Sequence, residues 1–385
     1  MIYKNKSYLF GVKTLMKNKW SKERAWEWYN AHPWIRGCNY MSADCVNRID
    51  QWQALHFEER FRTTEEELKV MQELGFNSVR IILEYVVWKE EHDSFLERFE
   101  RYISLLDKYG ISAIVVLAND CMPPKTELWE MPYIGEQKFD MGYHGGKKHS
   151  QHGAHNGLAP HFYLDNEESA DDYFKMVREI VTLYKDDNRI LMWDVFNEPG
   201  NSQRSGITLP ILKRMFEVVR GVNPSQPLTA AAWCCNKNCV FDMPEDVYCL
   251  ENSDIITYHN YGKYEEHIRV IKYLKQFDRP LINTEWLARC TGNTVFDNFP
   301  LFYLENIGCY NWGFVAGKYQ TFEAHNSLWD WYYREKNADI DLTKWFHDLY
   351  RPSYRPYDPK EIDLIKKFCT FADDDYKNKN KEITQ

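Results

Sequence analysis

Eight times along the chain a short apolar run is followed by a longer stretch of helical period or helical size. That alternation restricts the fold more than any other feature. The strand-like runs lie at 34–39 (WIRGCN), 76–83 (FNSVRIIL), 111–118 (ISAIVVLA), 189–196 (RILMWDVF), 227–233, 254–259 (DIITYH), 280–285 (PLINTE) and 308–314 (GCYNWGF). They are apolar on both faces, as strands are when helices cover one side of a parallel sheet and a packed interior fills the other. Helices are expected at about 63–74, 94–109, 166–186, 208–222, 264–277, 294–306 and 359–372, with a turn-rich stretch after the fifth strand. Gly75 and Gly110 close the first two, and Thr63 or Thr64 with the glutamates that follow resembles a capping box. The pattern predicts a single-domain (β/α)8 barrel. Residues 1–33 read as an N-terminal extension with a short helix at 21–31, residues 34–372 as the barrel, and the charged, repetitive 373–385 as a disordered tail.

A barrel of this size needs no disulfide staple, and the ten cysteines show no framework spacing. Cys38, Cys121, Cys290 and Cys309 sit in or beside apolar runs as small hydrophobes. Cys234, Cys235 and Cys239 lack the second ligand pair a zinc site wants. The net charge of −9 is spread along the chain, without the basic stripe that nucleic acid requires. No run of 18 apolar residues exists to span a membrane, and the first twenty residues have no continuous apolar core of a secretory signal. The expected location is therefore cytoplasmic, with reduced thiols.

Two connections, about 118–165 and 314–358, are far longer than ordinary loops. Both follow strands and so lie at the C-terminal end of the barrel, where barrel active sites sit. Polar residues at strand tips on that end carry information: Arg36 and Asn39 on the first strand, Arg80 on the second, Asn119 and Asp120 on the third. Asn197 and Glu198 close the fourth, His259 and Tyr261 the sixth, Glu285 the seventh and Trp312 the eighth. Glu198 and Glu285 are 87 residues apart, three units of about 29, which puts both on one rim. Two such carboxyls can approach to the ~5–5.5 Å of double displacement at an anomeric carbon. One must be charged to attack and the other protonated to release the leaving oxygen; a nearby arginine, for which Arg80 is the candidate, and burial of the partner would split their pKa values. Taken singly, each could equally be a rim ion-pair partner.

FNEPG after the fourth strand and NTEW at the seventh resemble the glycoside hydrolases of clan A, which include the family 5 cellulases and mannanases. The resemblance runs over roughly residues 34–315. It implies Glu198 as acid/base and Glu285 as nucleophile of a retaining β-glycosidase. It also implies Asn197 at the sugar 2-hydroxyl, Arg80 and Tyr261 supporting Glu285, His259 beside the acid/base, and Trp312 under the reacting sugar. Asn119 is counted among the substrate-binding residues. The segment ANDCMPPK after the third strand departs from any pattern tied to one substrate.

No cofactor and no metal are expected. His144, His149, His152, His155 and His161 crowd one loop, but Lys147 and Lys148 beside them would repel a cation. That loop also carries Trp129, Tyr133, Tyr143, Phe162 and Tyr163, and the last one carries Trp329, Trp331, Tyr332, Tyr333 and Trp345. So many aromatics, each with an apolar face and some with a polar tip, suit walls of a sugar cleft or packing of one loop on the other. The expected partner is a small carbohydrate. A catalytically silent carbohydrate-binding barrel would be expected to lack one of the two glutamates. Transglycosylation would use the same pair, and a metal amidohydrolase would want His-x-His where the chain reads IRGCNY.

Overall fold

A computed structural model describes residues 19–121, 132–146, 162–335 and 339–384. In order, the elements are α1 (Lys22–Asn30), β1 (Arg36–Asn39), α2 (Arg48–Trp52), α3 (Phe57–Leu74), β2 (Ser78–Ile82), α4 (Tyr85–Glu90), α5 (His92–Lys108), β3 (Ser112–Val116), α6 (Phe162–Asp165) and α7 (Glu167–Tyr184). There follow β4 (Ile190–Asp194), α8 (Leu209–Val222), β5 (Leu228–Thr229), α9 (Pro244–Asn252), β6 (Ile256–His259), α10 (Tyr264–Leu274), β7 (Leu281–Trp286), α11 (Val295–Leu304), β8 (Gly308–Trp312), α12 (Asn326–Arg334) and α13 (Pro359–Thr384). All strand pairs are parallel, in the order β5-β4-β3-β2-β1-β8-β7-β6. The seam between β5 and β6 closes through a parallel bridge from Ala232 to Tyr258 and a 2.7 Å hydrogen bond between the Thr229 and Thr257 hydroxyls. The result is the (β/α)8 barrel that the alternation predicts.

The main core lies between sheet and helices: Leu68, Met71, Phe95, Phe99, Val177, Ile180 and Phe299 pack on outward strand residues such as Val79, Ala113, Val115 and Trp193. A second cluster closes the bottom of the barrel. There Ala25 and Tyr29 of α1 meet Ile35, Ile114, Met192, Ile255, Ile282 and Tyr310. Thus α1, capped by Ser21, plugs the end opposite the C-terminal rim of the strands.

Four expectations are corrected. Helix α3 begins at Phe57, so Thr63 and Thr64 lie inside it and cap nothing. Phe57 is buried against Phe61 with Arg98 and Arg101 over its ring, and this packing outweighs the local capping signal. The turn-rich stretch after β5 contains α9, opened by Pro244. The charged tail is helical as the continuation of α13, held by Arg36–Asp373 at 2.7 Å and by the Tyr376 hydroxyl on the Ala31 carbonyl at 2.8 Å. Arg36 therefore sits at the bottom of the barrel, not on the rim: it also bonds the Gly75 and Trp34 carbonyls.

Candidate active site

At the top of the barrel, the tips of β1, β2, β4, β6, β7 and β8 converge on one hollow. Glu198 follows β4 and is held at φ 46°, a left-handed conformation uncommon for a residue with a side chain. Glu285 lies in β7. One oxygen of each carboxyl and a ring nitrogen of His259, three buried residues, all lie within 4.8 Å of one another. His259 Nδ1 is 2.7 Å from Glu198 Oε1 and 3.5 Å from Glu285 Oε2. Asn201 donates to the other oxygen of Glu198.

Glu285 accepts from Arg80 at 3.0 Å on Oε1 and from the Tyr261 hydroxyl at 2.8 Å on Oε2. Arg80 is buried and fully engaged: beyond Glu285 it donates to Asp194 (2.8 and 3.0 Å), Asn39 (2.8 Å) and Asn197 (2.6 Å). Asn197 in turn donates to Asn119 at 2.7 Å. Asn119 also ties to the Cys121 backbone, so its contacts place it under Asn197 as a positioning residue. Trp312 is partly open at the end of β8 and lines a cavity with Asn39 and Arg80. Glu198, Glu285, His259 and Tyr261 meet directly, Arg80 and Asn197 join them, and Trp312 lines the cavity beside Arg80, while Asn119, expected to bind substrate, stands one contact back. Asp120 is instead spent on structure: it pairs with Arg204 at 3.0 Å and accepts from Gly200 N at 2.7 Å, fixing the turn that carries Glu198.

Burial sets the electrostatics. It raises the Glu285 carboxyl above the ordinary carboxylate range, as does Glu198, while Arg80 and the Tyr261 hydroxyl pull it back. Burial pushes the His259 imidazole down to about 3, so the ring is neutral and its contact with Glu198 is a hydrogen bond between a neutral group and a carboxyl. A charged ring there would hold its neighbour's carboxyl ionised by attraction; a neutral one orients it without doing so.

Sequence reasoning missed Asp194, which neutralises Arg80 from below, and Asn201. Asp194 stands in the run WDVF as one acid in an apolar strand, and a charge buried on a central strand demands a partner; that was its signal. Asn201 lies in a turn and gives none.

Loop residues 132–146 run from β3 over the β1 side to the β8 loop. Gly135 exchanges two bonds with Gln53 (2.8 and 2.9 Å) and Gln137 accepts from Asn47 at 2.8 Å. Farther on, Gly142 N and the Asp140 carbonyl bind Gln320 at 2.8 and 2.7 Å, and Gly145 N reaches the Tyr319 carbonyl at 2.9 Å. Gly317 allows the β8 loop to meet the β1 loop, since a Cβ there would stand 2.0 Å from the Ala43 carbonyl oxygen. His144 packs beside His325 and His347, ring centroids 4.2 and 5.3 Å away, next to Trp312. Trp129, His149, His152, His155 and His161, Lys147, Lys148 and the Phe162 side chain lie outside what the structure describes. Of the last loop's aromatics, Trp329 packs, as Tyr261 does, against a small apolar cluster that includes Ala324 and Phe346, while Trp331, Tyr332 and Tyr333 are exposed.

A parallel eight-stranded barrel whose rim brings two carboxyls face to face is the framework of a glycosidase. A family model described as cellulase (glycosyl hydrolase family 5) matches residues 46–345, and the chain belongs to that family. Among solved structures, it is similar to the exo-β-1,4-mannosidase Op5Man5 from Opitutaceae bacterium strain TAV5 (TM-score 0.55, 16% identity, 89% of this chain and 60% of that one). It is also similar to a glycoside hydrolase family 5 mannosidase from Rhizomucor miehei (TM-score 0.52, 14% identity, 90% and 94%). At these identities the likeness is one of fold. Among curated proteins, β-glucuronidase of Homo sapiens is 30% identical over 145 residues, 34% of this chain. The matched stretch is a fifth of that relative's length, 20%. Among the described residues, no helix is long and apolar enough to cross a membrane.

Proposed function

We propose that the protein is a retaining β-glycosidase that releases sugars from the non-reducing end of small β-linked glycosides, with Glu285 as nucleophile and Glu198 as acid/base. The observation that carries this reading is the approach of the two carboxyls: oxygens within 4.8 Å suit direct attack by one of them. An inverting pair would stand ~6.5–9.5 Å apart to admit a water. A Glu285 oxygen attacks the anomeric carbon as the bond to the aglycone oxygen breaks, and Glu198 gives that oxygen its proton. Glu198 then takes a proton from water, the water oxygen bonds to the anomeric carbon, and Glu285 leaves. Two inversions give net retention. Arg80 and Tyr261 hold Glu285 in its attacking form, Asn197 is placed for the 2-hydroxyl, and Trp312 floors the sugar.

Exo action is supported by the 132–146 loop, which is fastened to the β1 and β8 loops and walls that side of the hollow. The cavity behind Trp312 has about 40 Å³ of water-accessible space among the described residues, which supports a closed end on that side. The chemistry needs neither metal nor cofactor. Ten free thiols support a reducing, cytoplasmic setting.

The test is a panel of aryl β-glycosides with the first-formed product anomer followed by NMR. Retention is expected; an inverted first product overturns the mechanism.

A further inference from the structure

One cation in the wall of this hollow has no part in the carboxylate chemistry. Arg48, the first residue of α2, lines the cavity behind Trp312 together with Asn39, Arg80, Tyr319 and Asp348. Its side chain is only 16% exposed. Arg80, which lines the same cavity, bonds Glu285 at 3.0 Å, so Arg48's cavity adjoins the hollow of the carboxyl pair.

The two guanidiniums of the cavity differ in how they are satisfied. Arg80 spends its donors on Asp194, Glu285, Asn39 and Asn197. Arg48 has Glu84 at 3.6 Å, beyond hydrogen-bond reach, and Glu84 stands outside the cavity wall. Burial raises the Glu84 carboxyl, which weakens it as a counter-charge. Among the described residues, the guanidinium also meets the Tyr319 hydroxyl, to which it hydrogen-bonds, and the Cys121 thiol. Across the cavity stands Asp348, bonded to Thr321 at 2.7 Å; burial brings its carboxyl up to about 7, so it is not a full opposing charge at neutral pH. A buried guanidinium is costly to keep without a partner, and its planar fork matches a carboxylate.

We propose that Arg48, with Tyr319, receives the carboxylate of a terminal β-linked hexuronic acid, making the enzyme a uronide-preferring exo-glycosidase. This rests on the glycosidase reading above: a sugar on Trp312 with its anomeric carbon at Glu285 would carry an exocyclic carboxylate into a space that fits such a group. Arg48 also offsets the repulsion between that carboxylate and the Glu285 anion.

The experiment compares para-nitrophenyl β-glucuronide and β-galacturonide with the matching glucoside and galactoside, for the full chain and for Arg48→Gln and Arg48→Lys. In the wild type the uronides are expected to exceed the neutral glycosides in kcat/KM by at least about tenfold, the scale of one charge-assisted contact. Arg48→Gln should collapse that ratio by about 100-fold, chiefly through KM, and Arg48→Lys should restore part of it. A wild type that cleaves the neutral glycosides better, or a ratio that Arg48→Gln leaves unchanged, overturns the proposal while the glycosidase reading stands. Calorimetric binding of the same glycosides to Glu285→Gln separates the two ideas. If no glycoside turns over, uronide binding that still depends on Arg48 keeps Arg48 as the carboxylate's receiver and rejects hydrolysis; uronide binding no tighter than neutral binding rejects the Arg48 contact.

Discussion

His259 Nδ1 lies 2.7 Å from Glu198 Oε1, and the ring is neutral at any pH where the enzyme would work. The imidazole thus fixes the direction of the carboxyl while leaving its proton available. If Glu198 is the acid, its value depends on how badly the leaving oxygen needs a proton. Glu198→Ala is expected to lower kcat/KM by about 100- to 10,000-fold for alkyl glycosides and far less for activated aryl glycosides. Azide should restore turnover of the aryl substrate and give a β-glycosyl azide. Equal losses on both substrate classes would refute the assignment.

Burial and the neighbouring Glu198 raise the Glu285 carboxyl, and Arg80 and Tyr261 counter them. In its proposed role as nucleophile Glu285 works deprotonated, so activity should fall as pH drops through an apparent pKa above the usual carboxylate range; the value belongs to the coupled pair. Tyr261→Phe removes a hydrogen bond that favours the charged form, so the acid limb of the kcat/KM profile should move to higher pH. A limb that stays in place or moves down would contradict this account of Glu285.

Arg80 and Asp194 form an ion pair at 2.8 Å with neither side chain exposed. Removing one partner strands the other in the barrel interior. Arg80→Met is expected to cost roughly 3–5 kcal/mol of stability in urea unfolding, besides its effect on turnover. Arg80→Met with Asp194→Leu should recover part of the stability and none of the activity. A loss below about 1 kcal/mol would mean that the pair is not buried as described.

Those residues also show what the sequence made legible. Glu198, Glu285, His259 and Arg80 could be named because each is a polar break at the tip of an otherwise apolar strand, and strand tips on one end of a parallel barrel share a rim. Asn201 and the Gln320 clasp could not: they lie in turns, where polar residues are ordinary and partners distant in sequence. The start of α3 was misplaced because Phe57 is fixed by packing against Arg98 and Arg101, contacts that no local pattern announces. The tail past residue 372 was misjudged for the same reason, since Arg36 and Ala31, more than 300 residues earlier, hold it.

Glu67 is buried in α3, accepting from the Tyr40 hydroxyl at 2.6 Å and Ala43 N at 3.1 Å. Burial is the leading cause that lifts its carboxyl to about 8. A carboxyl raised in the folded state binds its proton more tightly there than in the unfolded chain. Its contribution to stability is whole below the unfolded value near 4.5 and is lost as pH climbs through about 8. The melting temperature should therefore decline between about pH 5 and pH 8, and Glu67→Gln should flatten that decline. A variant with the same slope as the wild type would assign the dependence elsewhere, for which the carboxyls of Asp246 and Asp348, both raised to about 7, are the candidates.

Gln320 clasps the two long loops: its carbonyl oxygen accepts from Gly142 N at 2.8 Å and its amide donates to the Asp140 carbonyl at 2.7 Å. The backbone bonds His144 N to Ala324 O (3.3 Å) and Gly145 N to Tyr319 O (2.9 Å) flank it. Gln320→Ala removes both side-chain bonds at a cost of roughly 1–3 kcal/mol in loop closure, and the wall over the β1–β8 side of the hollow loosens while the carboxyl pair below keeps its own contacts. On a pentasaccharide of the sugar it accepts, the wild type should release single terminal residues if, as proposed, the wall closes that end of the hollow. The variant should begin to release internal fragments, with a raised KM for the smallest aryl glycoside, whose binding depends most on the wall. If the wild type already cuts internally, or the variant yields the same ladder of products, the loop is not what limits the enzyme to chain ends.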